Sequence, residues 1–138
     1  MTIPVSINTE QANGILTAAL AKAGKIGVAV NIAVLDAGIH LKAFARMDGA
    51  VLGSIDVAIG KARTAALFGI ASQSVWDYCK PGAAAHNLEA SNGGLMPFPG
   101  GFPLFDAAGM LIGSVGVSGG APSQDLEIAE AAVAAFVR

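Results

Sequence analysis

The sequence predicts an α+β domain, an antiparallel sheet of four to five strands with helices packed on it. Three observations carry this. Asp36-Ala37-Gly38 and Asp106-Ala107-Ala108-Gly109 each join two apolar runs and read as hairpin turns. Apolar residues recur at helical spacing in the stretches outside those hairpins. No dinucleotide-binding glycine motif follows a strand, so a doubly wound nucleotide fold is excluded.

The first helix is expected over about Thr9 to Lys25, where Ala12, Ile15, Leu16, Ala19 and Ala23 form one apolar stripe. Asn8 or Thr9 can cap it, Glu10 suits the positive end of its dipole, and Gly27 can end it. Val28 to Leu35 reads as a strand and Leu41 to Arg46 as its return, with Lys42, Phe44 and Arg46 on one face. The second helix is expected from about Gly53 to Phe68, capped by Ser54 and stopped at Gly69. Its Ala58, Ala62, Ala65 and Ala66 suit close approach to a sheet, and Lys61 falls at the edge of that face.

A short helix around Ser72–Tyr78 follows, broken by Lys80-Pro81-Gly82. Pro81 to Gly101 carries loop chemistry, with room for one short strand near Leu95–Phe98. The second hairpin pairs Phe102–Phe105 with Met110–Val117. The last helix is expected over Ser123 to Val137, acidic at its start and closed by Arg138. The whole of residues 1–138 reads as one domain.

Composition narrows the partners. The chain is 54% hydrophobic and 13% charged, with a mean hydropathy of +0.61. No apolar run is long enough to span a membrane, so the excess hydrophobicity points to a homo-oligomer. A net charge of −2 and the lack of a basic run exclude nucleic acid as a partner. Cys79 is alone, so an internal disulfide is excluded, and Met1 to Val5 lacks the basic start of a secretory leader. The expected location is cytoplasmic.

The charges cluster. Arg46, Asp48, Lys61 and Arg63 lie close together in an otherwise apolar chain. Arg46, Asp48 and Lys61 suggest either an internal salt bridge or a cationic pair, oriented by Asp48, that holds a carboxylate or enolate. A partly buried lysine can also serve acid–base or Schiff-base work. Gly116-Val117-Ser118-Gly119-Gly120 matches a nucleophile elbow in letters only. His40 and His86 both precede Ser118, and the chain is too short for that hydrolase fold. A glycine-rich turn facing an anion is the better reading. His86 sits in the irregular loop, where it could act as a general base or a haem axial ligand, or simply be exposed. His86 and Glu89 have no third metal ligand at a telling spacing.

Several motifs together resemble the family of GlcG- and HbpS-type proteins, the haem-degrading or haem-binding domain also found at the C-terminus of PduO-type cobalamin adenosyltransferases. They are Val34-Leu35-Asp36 with Gly38, Arg46-Met47-Asp48-Gly49-Ala50, Ser54, Lys61-Ala62-Arg63-Thr64-Ala65 and Phe98-Pro99-Gly100-Gly101-Phe102-Pro103. Gly113 to Gly120 and Asp125 complete the set. The resemblance implies a profilin-like α/β/α sandwich assembled into dimers and higher oligomers such as octamers. It also implies a pocket lined by Arg46, Asp48, Lys61, Gly100, Gly101, Ser118 and Gly119.

Three functions follow as expectations. The first is a pocket for a small anionic metabolite, with Arg46 and Lys61 as contacts and Lys61 or His86 moving a proton. That would be lyase- or isomerase-type chemistry without a redox cofactor. The second is non-covalent haem or tetrapyrrole binding, with His86, His40, Met47, Met96 and Cys79 as candidate ligands. The third is an oligomeric scaffold without chemistry.

Overall fold

The computed structural model describes residues 5–136. The expectations for the first residues of the N-terminus and for Arg138 lie outside them. The elements are α1 (Thr9–Ile26), β1 (Asn31–Asp36), β2 (Leu41–Arg46), α2 (Ser54–Phe68), α3 (Ser72–Cys79), a 3-10 turn at Leu88–Ala90, β3 (Gly101–Phe105), β4 (Leu111–Ser118) and α4 (Pro122–Ala134). The four strands form one antiparallel sheet in the order β2-β1-β4-β3. The α+β architecture is as the sequence predicts, with four strands.

Local chemistry explains most boundaries. Asn8 caps α1: the Gln11 N–H donates to Asn8 Oδ1 at 2.8 Å and the Asn8 N–H to Gln11 Oε1 at 3.0 Å. Gly27 ends the helix in the left-handed conformation, φ 75°. The two hairpins share one device. Asp36 Oδ1 accepts the N–H groups of Gly38 and His40, and Asp106 Oδ1 those of Ala108 and Met110.

Two expectations need correction, and one optional strand is absent. Gly53 is the N-cap of α2, and Ser54, its first residue, turns its hydroxyl back to the Val51 carbonyl. No strand forms at Leu95–Phe98, because its N–H groups go elsewhere: Leu95 donates to the Glu89 carbonyl and Met96 to Thr64 Oγ1. α4 starts one residue early, on Pro122, and ends at Ala134.

The sheet lies between two helical layers. Ile32 and Val34 of β1, Val115 and Val117 of β4 and Leu104 of β3 pack against α1 and α4 through Ile15, Ala19, Ile128 and Ala129. α2 covers the opposite face. There Gly101 and Gly116, paired in register, let the helix backbone approach. A Cβ on Gly116 would collide with the Ala58 carbonyl oxygen and stand 2.7 Å from the Ala62 nitrogen. The small-residue face of α2 therefore meets a patch of sheet that has no side chains.

Candidate functional site

Two regions hold the residues singled out from sequence, and they are separate. The first lies where β4 ends and α4 begins. Lys61 of α2 is 3% exposed. Its Nζ donates to Asp125 Oδ2 at 3.0 Å and to the Val117 carbonyl at 2.8 Å. Asp125 is also 3% exposed, and its Oδ1 accepts the Gly120 N–H at 2.9 Å. Gly100 (φ 123°) leaves the room this needs: a Cβ there would stand 3.2 Å from Lys61 Nζ and 2.6 Å from the Val117 carbonyl oxygen. Burial draws the Lys61 pKa below its ordinary value, against the opposing charge and hydrogen bond of Asp125.

This corrects one expectation. Asp48 does not orient Lys61, because Asp125 occupies that role from α4. Arg46 and Asp48 are both exposed, at the end of β2 and in the turn after it. Neither forms an ion pair among the described residues. The sequence placed Asp125 at a helix start and among the family motifs, and no spacing rule links positions 61 and 125. Topology alone joins them.

Ser118 and Gly119 lie at the head of a polar row. Arg46 of β2, Asn31 of β1 and Ser118 of β4 are direct neighbours across the sheet. Asn31 is wholly buried, and its Nδ2 donates to Ser54 Oγ at 2.6 Å. A Cβ on Gly119 would stand 3.4 Å from that same Ser54 Oγ. Asn31 is the functional candidate that sequence reasoning passed over. Its signal was a lone amide inside the β-branched run from Val28 to Leu35.

The second region is built by α3 and the segment after it. Phe68, Ile70, Val75, Tyr78, Ala85 and Leu88 line an apolar groove of about 320 Å³. Phe68 and Tyr78 are exposed on it. His86 is exposed in the turn between the lining residues Ala85 and Leu88. It makes no hydrogen bond with Lys61, Asp125, Ser118 or the glycine turns. Cys79, the last residue of α3, is buried, and burial first and the nearby Glu89 second push its thiol pKa up. Among the described residues no group of three His, Cys, Asp or Glu is placed to hold a metal ion.

Residues 7–134 match the family model described as haem degrading protein HbpS-like. The chain belongs to the HbpS-like family. This domain is 36% identical over 136 residues, 98% of its length, to the corrinoid adenosyltransferase PduO of Salmonella typhimurium, and spans 40% of that protein. An uncharacterised 15.0 kDa protein from the dhaT–dhaS intergenic region of Citrobacter freundii is 38% identical over 117 residues. That match covers 84% of this chain and 82% of the other.

Among solved structures, the Klebsiella pneumoniae protein ORFY superposes with a TM-score of 0.93 at 31% identity, covering 99% of this chain and 94% of that one. The PduOC–haem complex matches with a TM-score of 0.90 at 35% identity, covering 95% of each chain. A double mutant of HbpS from Streptomyces reticuli gives a TM-score of 0.90 at 29% identity, over 100% of this HbpS-like chain and 92% of that one.

Proposed function

We propose that this HbpS-like domain is a non-covalent haem- or tetrapyrrole-binding module. The supporting observation is its match over 95% of both chains to PduOC, a relative solved as a haem complex. The chain's own residues fit such a ligand. The groove formed by Phe68, Ile70, Val75, Tyr78, Ala85 and Leu88 offers an apolar, partly aromatic wall, which is what a macrocycle face needs to leave water. His86, exposed in the turn between the lining residues Ala85 and Leu88, would supply an imidazole nitrogen for the iron. When bound, haem contributes redox and ligand-binding chemistry at its iron; the protein holds the ring and sets access.

The groove is open on one side, and α3 also exposes Trp76 beside Tyr78. We infer that the domain assembles as a homo-oligomer, covering this aromatic surface.

Titrating the purified protein with haem tests the first reading. A saturating Soret band is expected, displaced or abolished in His86→Ala and weakened in Phe68→Glu. A flat titration of the wild-type protein at micromolar haem overturns it. Light scattering coupled to size exclusion tests the assembly, and a monomer at all concentrations overturns that part.

A further inference from the structure

Asn31 Oδ1 is fully buried and has no hydrogen-bond partner. Such an acceptor is expensive to leave bare, because burial has removed the water that would bind it. It is not isolated. Asn31 Nδ2 holds Ser54 Oγ at the first residue of α2, so the amide stands at that helix's N-terminus. Ser118, 6% exposed, is its direct neighbour on β4, and Arg46, exposed and without an ion pair among the described residues, is its direct neighbour on β2. A Cβ on Gly119 would stand 3.4 Å from Ser54 Oγ, so that turn lies against the same hydroxyl.

We infer that this row is a second binding site, distinct from the haem groove, for a small 2-hydroxycarboxylate. The chemistry of each member sets the ligand. The Arg46 guanidinium presents a planar pair of donors that matches a carboxylate. The positive end of α2 favours the same charge. Asn31 Oδ1 can only accept, so the ligand must bring a donor next to its carboxylate. A hydroxyl suits the place better than an ammonium, because Arg46 is already cationic and Asn31 offers no counter-charge against burying a second one. Ser118 Oγ can donate to or accept from that hydroxyl.

Access runs through the turn between β2 and α2. Asp48, Gly49, Val51, Leu52 and Gly53 are exposed there, and Ala50 is half-buried. The Val51 carbonyl lies 3.5 Å from Asn31 Nδ2, which places the turn directly over the amide.

Calorimetric titration with three acids of the same carbon skeleton, lactate, alanine and propionate, tests the proposal. Lactate is expected to bind saturably. Propionate, which lacks the donor, and alanine, which carries an ammonium instead, should bind at least tenfold more weakly. Arg46→Met, at an exposed position, should remove lactate binding while leaving the circular dichroism spectrum and the haem titration unchanged. Asn31→Leu should erase the preference for lactate over propionate; should that variant fail to fold, Ser118→Ala should reduce the preference instead. No saturable lactate binding, equal affinity for lactate and propionate, or an unaffected Arg46→Met overturns the site and leaves the Asn31 oxygen to a trapped water.

Discussion

Lys61 and Asp125 form an ion pair of 3.0 Å whose two side chains are each only 4% exposed. They come from α2 and α4, which pack on opposite faces of the sheet, and they meet beside the last residues of β4. The third partner, the Val117 carbonyl, belongs to β4 itself. Asp125 in turn fixes the Gly120 N–H. The pair therefore pins both helical layers and the glycine turn to the end of one strand. A buried lysine held by both partners ties these elements together.

Removing one member of this pair should be severe. Lys61→Met leaves the Asp125 carboxylate buried and without its cation, which costs about 3–5 kcal/mol in comparable sites. Replacing both, as Lys61→Met with Asp125→Leu, should recover much of that loss. Urea denaturation of the three variants measures it. A Lys61→Met protein as stable as wild type would contradict a structural role for the lysine.

The pair also predicts how stability follows pH. Lys61 titrates in the folded protein below its ordinary 10.5 because burial disfavours its charge. Between that lowered pKa and 10.5, the unfolded chain still holds the proton that the folded chain has released. Stability then rises with pH across this window, and is flat with respect to this group on either side of it. The stability difference between wild type and Lys61→Met, measured from about pH 8 upward, isolates the contribution of Lys61. A difference that falls with pH would reverse the assigned direction.

Gly116→Ala tests the contact between α2 and the sheet. The added methyl would meet only backbone, the Ala58 carbonyl and the Ala62 nitrogen, so the helix must move rather than a side chain turn. A loss of about 3 kcal/mol is expected. Gly24→Ala is the control. It lies exposed within α1, with nothing within 4 Å of its Cβ position, and should gain about 0.5–1 kcal/mol from helix propensity. Thermal denaturation of the two variants should move in opposite directions.

The fold was largely legible in the sequence because its signals are local. Asn8, Gly27, Gly69 and the two Asp-to-Gly turns satisfy or release backbone groups within a few residues of themselves. Boundaries failed where distant partners intervened. Ser54 looked like a helix cap, but its hydroxyl is shared between Val51 and an amide from β1. Leu95–Phe98 had room for one short strand, but Thr64 Oγ1 accepts the Met96 N–H.

By itself the sequence determined the element order, the small-residue face of α2 and the family, each carried by neighbouring residues or by motifs in series. Only the tertiary structure decided which charges meet. Lys61 found Asp125, 64 residues away, while Arg46 and Asp48 stayed at the surface. It also set Asn31 between Arg46 and Ser118, because strand register aligns residues from three different strands. The physical reason is that helix and turn signals are short in range, whereas the pairing of buried charges and bare acceptors depends on which distant elements the sheet brings together.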